Sequence, residues 1–526
     1  MSTIQRTNKV ITLLVTCFGL FMVLLDASIV NVALPTIQTD LHANLSDLQW
    51  VVDAYTLPLA ALLLTAGTLG DRFGRKRLFL AGLVLFVLGS TLCGFAPTLD
   101  WLLVGRVVQG IGAAALLPGS LAVLVAAFPE PRERAQAIGL WAGVSGVGLA
   151  AGPLIGGLLI QLSSWPAIFF VNLPVGIVAL ALGVPLLSES RNPKAQRIDL
   201  PGQVLVTGAL VCLIVALIES SSQGWTSPLI LGLFIGSAVL LAAFLLVEAS
   251  VREPMLPLGL FRNRVFSVAN VAGLLLGFVM IGTIFFVTQF FQSIQGYTPL
   301  EAGARTLPAS LGIFVASPFA GRLTARLGPR LPIVLGGLLG TSGLLLLTGL
   351  ALDSSYASIW WIFGLWGVGI GLMNSPLTTA VLSATPPERA GLGSSVNNTS
   401  RQVGISLGVA VLGTVVLQQF VSNIASQLTK RGVPAHLGAT IASNIASAGA
   451  QASQVRLAGR LPLPPAVLDQ AINQAFVDAL HSSYLIAAIT LLVATVLVAF
   501  LLWQKQPATK TASAQSQVLL DVNPNI

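Results

Sequence analysis

Apolar runs of about 20 residues follow one another along most of the chain, broken by short polar turns, and each is long enough to cross a bilayer as a helix. Fourteen are discernible, near 10–34, 48–69, 78–96, 101–126, 134–160, 166–187, 200–219, 228–247, 265–291, 302–321, 331–351, 357–380, 394–420 and 481–503. The pattern predicts an all-α polytopic membrane protein. Six runs precede the polar stretch Ser188–Asp199, two follow it, and six more come after Val251–Arg264. This 6 + 2 + 6 plan divides the chain into a first six-helix bundle at 1–190, an inserted two-helix linker at 191–250 and a second bundle at 251–505. Residues 506–526 are polar and expected to be a disordered tail. The stretch 421–480 is rich in Ala, Ser, Gln and Asn and interrupted by Gly432, Pro434, Gly459, Pro462, Pro464 and Pro465. Its Ala-rich arms read as a helical hairpin on the outer side, either a lid over the outer vestibule or a tolerated surface insertion.

A repeat supports the two-bundle plan. The run Gly67-Thr68-Leu69-Gly70-Asp71-Arg72-Phe73-Gly74-Arg75-Lys76-Arg77 has a fainter copy beginning at Gly321, 254 residues later. Glu133-Arg134-Ala135 opens one apolar run, and Glu388-Arg389-Ala390 opens another, 255 residues on. Two unrelated motifs recurring at one offset indicate a duplicated membrane unit, the architecture of secondary transporters.

Composition changes the picture little, but charge placement adds a direction. Hydrophobic residues make up 55% of 526 and charged residues 9%, against about a quarter charged in soluble domains. The net charge of +8 invites a nucleic-acid reading, but twenty of the 27 Lys and Arg fall on one alternating side of the runs. The opposite short loops hold Asp40, Asp47, Asp100, Glu219 and Asp353. This positive-inside bias places both termini in the cytoplasm and removes nucleic acid as an expected partner. The first run is too long for a cleavable signal and is expected to remain as an anchor. Cys17, Cys93 and Cys212 all lie inside runs, so neither a disulfide framework nor a metal spacing is expected.

The candidate chemistry lies in four ionisable residues inside the runs: Asp26, Asp53, Arg106 and Arg401. A charge in lipid is expensive and is by default a functional-site hypothesis. Counted at helix rise from the nearest turn, Asp26, Asp53 and Arg106 lie roughly 9–13 Å below the outer surface, so they can share one level. If they meet, one arginine neutralises one aspartate, and the other acid must take a proton or a cation. That is the electrical design of a proton-coupled carrier, although structural polar contacts remain an alternative for each residue. Arg401 has no acid inside the runs of its own half. It can pair with Asp26 or Asp53 across the cavity, or face an anionic or hydrogen-bonding substrate. Asn398, Arg401 and Gln402 share one helix face beside Asn397 and, with Gln289, are candidates for the substrate cavity.

Other features allow two readings each. Asp71, an acid among the cations of the 67–77 run, suggests a cytoplasmic salt-bridge latch, whereas the cations alone would serve as a topology anchor. Gly148, Gly152, Pro153, Gly156 and Gly157 form a small-residue face on the fifth run, either a seal or hinge between halves or ordinary packing. The aromatic groups Phe285, Phe286, Phe290, Phe291 and Trp360, Trp361 fit a drug site or the lipid interface.

These motifs resemble those of fourteen-span drug:proton antiporters of the major facilitator superfamily, the QacA/EmrB-like multidrug efflux branch. Gly67–Arg77 matches the loop between spans 2 and 3, Arg106-Val107-Val108-Gln109-Gly110 the span 4 motif, and Gly148–Gly157 the antiporter motif of span 5. Leu25–Pro35 matches the span 1 motif of this branch, and Trp50-Val51-Val52-Asp53-Ala54-Tyr55 its span 2 signature. The resemblance implies the major facilitator fold with two pseudo-symmetric six-helix bundles. It also implies coupling roles for Asp26, Asp53 and Arg106, and a cytoplasmic gate at Gly67, Asp71, Arg72, Gly74 and Arg75. Asn397, Asn398, Gln402 and Arg401 stand where some cation exporters carry further acids in span 13.

The expected function is proton-coupled efflux of amphipathic, often cationic drugs, dyes or antiseptics by alternating access, without a cofactor, from a bacterial inner membrane. The alternative is a dedicated exporter of one secreted metabolite or antibiotic. The expected partners are small drug-like molecules, protons and the bilayer, and the protein is expected to act as a monomer. No metal-ligand cluster, nucleotide loop or nucleophile–base pair suggests an enzyme, and His42, His436 and His481 are scattered.

Overall fold

A computed structural model describes residues 3–43, 45–191, 199–251, 254, 256–430 and 465–502. Helices account for nearly all of them: α1 (Thr3–Asp40), α2 (Leu45–Phe73), α3 (Arg75–Gly94), α4 (Leu99–Ala127), α5 (Pro131–Leu162), α6 (Ala167–Phe170), α7 (Asn172–Leu186), α8 (Leu200–Gln223) and α9 (Pro228–Ser250). The second part of the chain forms α10 (Arg264–Gln289), α11 (Pro299–Leu327), α12 (Arg330–Leu347), α13 (Tyr356–Ser383), α14 (Ala390–Lys430) and α15 (Pro465–Leu501). Local chemistry sets several starts. Asp199 caps α8 by accepting from the Gly202 N–H at 2.9 Å. Thr298 and Glu301 form a reciprocal capping box on α11. Gly74 takes φ 119° between α2 and α3, in the left-handed half of backbone space that glycine enters most readily.

Thirteen spans among the described residues are long and apolar enough to cross a membrane, with α6 and α7 together forming one of them. The 29-residue α11 is long enough to be the fourteenth, but Glu301, Arg305, Arg322 and Arg326 dilute its apolar character. The boundaries also differ from those expected. The sixth run breaks at Val171. Helix α14 continues through 421–430, and α15 begins at Pro465, so both helices run past the ends expected at 420 and 481. Residues 431–464 of the expected hairpin, 192–198 of the linker and the tail 506–526 lie outside the described residues.

Among the described residues, α5 packs against α11 and α13 while α2 and α4 pack against α14, and the principal contacts joining the first six runs to the last six are α5–α11 and α2–α14. These contacts are mates under the sequence repeat, because α2 carries Gly67 and α11 carries Gly321, while α5 opens near Glu133 and α14 near Glu388. Both are close approaches. A Cβ on Gly139 of α5 would lie 2.9 Å from the Ser317 carbonyl oxygen of α11, and one on Gly67 of α2 would lie 1.8 Å from Ser395 Oγ of α14. Glycine lets the backbones meet where apolar side chains alone give helices no reason to associate in lipid.

The inserted helices α8 and α9 pack on each other, and α8 also lies against α2 and α14. Thr65 Oγ1 of α2 and Thr207 Oγ1 of α8 are 3.4 Å apart. At the far end, Trp225 Nε1 donates to Thr414 Oγ1 of α14 at 2.8 Å. The inserted pair thus borders the seam between the two six-helix sets.

This register predicts that Thr65→Cys and Thr207→Cys, combined in a background lacking Cys17, Cys93 and Cys212, will form a disulfide under mild oxidation, since bridged Cβ atoms lie about 4 Å apart. Mass spectrometry of the linked peptides is the check; free thiols after oxidation would refute the α2–α8 pairing.

Candidate functional site

Four helices assemble the principal charged cluster. Asp26 on α1 is 0% exposed and Arg106 on α4 is 1% exposed, and they form an ion pair at 2.5 Å. Further hydrogen bonds support the pair. Gln109 Nε2 donates to Asp26 Oδ1 at 2.9 Å and to Ser90 Oγ at 2.7 Å, while Gln109 Oε1 accepts from Arg106 Nη1 at 2.9 Å. Arg106 Nε donates to the Val51 carbonyl at 3.0 Å. The guanidinium carbon lies 4.4 Å from the Tyr55 ring centroid, a cation–π distance. Asn172 Nδ2 donates to Ser90 Oγ at 3.2 Å and extends the network to α7. A buried pair is tolerable only when such additional bonds complete it. Gln109 is the joint, because one amide reads both members of the pair. In the sequence Gln109 stands out only as part of the span 4 motif; its spacing of three from Arg106, about one helical turn, is the signal that places both on one face.

Asp53 stands apart from this cluster. It shares α2 with Val51, whose carbonyl bonds Arg106, but it points elsewhere, is partly exposed, and pairs with no cation among the described residues. The charge acting on it is that of Glu219 on α8. The register explains this. Asp53 lies twelve residues before Thr65 and Glu219 twelve after Thr207, so the antiparallel helices bring the two acids to one level. Glu219 was expected in an outer loop, but it lies within α8. Three ionisable groups therefore share a level, as their depth allows, but only Asp26 and Arg106 meet. The other acid lies near the level of a second carboxylate, and two like charges at one depth favour holding a proton.

At the basic end, the 67–77 run grips α14. Asp71 accepts the N–H groups of Gly391 and Leu392 at 3.0 and 2.9 Å, at the start of α14. A carboxylate is favoured there by the unpaired amides and the helix dipole. Arg75 Nη2 lies 2.9 Å from Asp71 Oδ1 and donates to the Pro387 carbonyl at 2.7 Å. Gly67 leaves room for this approach. Gly74 turns the chain so that Glu189 reaches the N–H groups of Lys76 and Arg77 at 3.2 and 3.3 Å. Arg72 stacks on Phe73, 5.3 Å from its ring centroid. Together these contacts close the basic side of the α2–α14 seam. Glu189, not singled out from the sequence, caps the start of α3 and holds the grip in place.

The small-residue face of α5 divides its partners. Gly148, Gly152 and Gly156 face α1, where a Cβ on Gly152 would lie 2.0 Å from Ser28 Oγ. Pro153 and Gly157 face α11, meeting Gly303 and Leu300. Gly139, Gly143 and Gly146, outside the expected motif, also press on α11. The glycine face is thus an intrabundle contact with an adjoining interbundle edge.

In the second half, Arg401 is partly exposed and its Nη1 donates to Asn374 Oδ1 of α13 at 3.1 Å. It contacts neither Asp26 nor Asp53. Asn398 is buried and bonds back to the Ser394 carbonyl of its own helix at 2.9 Å. Gln402 and Gln289 are partly exposed, and Gln289 ends α10 just before a π-helical turn, Phe290–Ile294. Phe290 and Phe291 are fully buried in the helical core, whereas Trp360 and Trp361 are exposed, as expected of residues at a lipid interface.

Comparison with known proteins places this geometry in a family. A profile of the Major Facilitator Superfamily matches residues 16–409, and the chain belongs to that family of membrane transporters. It is 40% identical over 430 residues to the multidrug resistance protein Stp of Mycobacterium tuberculosis, covering 82% of this chain and 80% of that one. It is 37% identical over 493 residues to the tetracenomycin C resistance and export protein of Streptomyces glaucescens, covering 93% and 91%. The puromycin resistance protein of Streptomyces alboniger is 40% identical over 75% of this chain and 79% of its own. Among solved structures, the human organic anion transporter MFSD10 superposes with a TM-score of 0.58 at 14% identity, covering 95% of this chain and 100% of that one, which establishes a shared fold.

Two outcomes test the site. Asp26→Asn strips Arg106 of its counter-charge and is expected to destabilise the protein by about 3 kcal/mol; adding Arg106→Gln should restore more than half of that loss in detergent thermal unfolding. Asp71→Asn should raise maleimide labelling of Leu392→Cys from the basic side about tenfold, through loss of charge-assisted bonds. Unchanged labelling would mean that Asp71 does not hold the seam closed.

Proposed function

We propose that this transporter exports amphipathic, drug-like molecules, many of them cationic, in exchange for protons across a bacterial cytoplasmic membrane, with both termini in the cytoplasm. Support for the substrate class comes from relatives sharing 37–40% of residues over most of their length, which are resistance and export proteins. Proton coupling is carried by one observation: Asp26 is neutralised by Arg106, whereas Asp53 lies at the level of Glu219 and has no bonded cation among the described residues. Two like charges at one depth in low dielectric favour holding a proton between them. Arrival of a cationic substrate would favour its release. The α2–α14 grip, with its partner contact α5–α11, supplies the rocking seam of alternating access. Asp71 and Arg75 hold the basic side of the seam closed in the described conformation.

A second reading, a dedicated exporter of one compound, has support in the relative whose name joins resistance with export of tetracenomycin C. A panel of chemically unrelated dyes separates the readings: export of several favours the first, and export of none beyond one close chemical class favours the second.

The coupling reading is tested in inside-out vesicles energised by a pH gradient. Ethidium uptake should collapse when the gradient is dissipated, and Asp53→Asn should lose uphill uptake while retaining exchange of bound ethidium. Full gradient-driven uptake by that variant would remove Asp53 from coupling.

A further inference from the structure

The two arginines placed well inside the apolar spans, Arg106 and Arg401, are treated differently. Arg106 has its carboxylate. Arg401, eleven residues into α14, is bonded to the neutral amide of Asn374, and no carboxylate lies within ion-pair distance of it among the described residues. A guanidinium at that depth without a counter-charge is costly. It persists where water or a ligand can reach it, and Arg401 keeps part of its surface accessible. The surrounding groups are arranged for a ligand. Asn397, one turn earlier on the same face of α14, is 1% exposed, and its carbonyl Oδ1 has no hydrogen-bond partner among the described residues. A Cβ on Gly273 of α10 would lie 3.7 Å from Asn397 Oδ1 and 3.8 Å from Arg401 Cγ, so the two side chains border the same gap beside α10. Asn270, one turn before Gly273, is 4% exposed, and its Oδ1 is likewise without a partner. Buried acceptors left unpaired cost stability that a donor would recover.

The geometry points to a binding subsite for oxygen acids: Arg401 takes a carboxylate or ionised phenol, and the carbonyls of Asn397 and Asn270 accept from hydroxyl or N–H groups beside it. This subsite deepens the proposed export function and rests on it for physiological meaning. It gives the transporter a cationic recognition element on α14, across the α2–α14 seam from the Asp53 and Glu219 carboxylates. An acid entering at Arg401 supplies the missing counter-charge, and the bond formed is charge-assisted and short-ranged. Lysine cannot reproduce the planar fork of arginine and should serve only in part.

The test uses the full-length protein in lipid nanodiscs, with fluorescein as the anionic probe and ethidium as the cationic one, both read by fluorescence polarisation. Arg401→Gln should lower the ratio of fluorescein to ethidium affinity about tenfold or more, Arg401→Lys should restore part of that ratio, and Asn397→Leu should weaken fluorescein more than ethidium. Thermal unfolding in the same nanodiscs identifies any general loss of structure. Failure of the wild-type protein to bind fluorescein while it binds ethidium would overturn the subsite, as would an equal loss of both probes in Arg401→Gln. Transport in energised vesicles is a separate readout: Arg401-dependent fluorescein binding without gradient-driven export of either dye would count against the proposed function and leave the subsite standing.

Discussion

A charge held away from water must be matched, and the organisation of this protein follows from how few matches it provides. Asp26 and Arg106 satisfy each other, with Gln109, Ser90 and the Val51 carbonyl supporting the pair. That arrangement ties α1 to α2, α3 and α4 around one neutral unit. The remaining charges near the seam are then left on opposite helices. Asp53 and Glu219 offer carboxylates from α2 and α8, and Arg401 offers a guanidinium from α14.

The two principal contacts between the helix sets are related by the sequence repeat but differ in chemistry. The α2–α14 and α5–α11 contacts are related by the repeat, and both rely on glycine for close approach. Only the first carries the carboxylate grip of Asp71 on the amides of α14. At the equivalent offset of 254 residues stands Ala325, which has no acceptor to offer. One seam is therefore held by charge and the other by packing. Packed surfaces can slide or rock with little loss, whereas charge-assisted bonds to a helix start make or break together. The inserted pair α8–α9 adds to this asymmetry, because α8 reaches both α2 and α14.

Several single residues acquire meaning only in the assembled helices. The acid of the 67–77 run suggested a latch, but its partners proved to be two backbone amides, which no side-chain pattern announces. The span 5 glycines read equally well as hinge or packing; three face α1 and the edge residues Pro153 and Gly157 face α11. Glu219 looked like a loop residue because it ends an apolar run, yet helix α8 continues to Gln223. The ends of α14 and α15 extended past the expected spans for a related reason. Ala-rich, polar sequence is compatible with helix without being apolar, so hydropathy alone stops too early.

The sequence by itself determined that the chain is helical and membrane-spanning, in what order its helices come, that it is a duplication with an insert, and which few ionisable residues sit at depth. These properties are local: an apolar run of sufficient length must satisfy its own backbone in lipid, and a repeat is visible wherever it occurs. Only the tertiary structure decided that Arg106 takes Asp26 and not Asp53, that α8 brings Glu219 to the level of Asp53, and that Arg401 bonds an amide where a carboxylate could have stood. Depth along a helix follows from counting residues, but pairing depends on helix rotation and on which helices become neighbours. That choice is made by the glycine contacts and side-chain packing of the whole assembly.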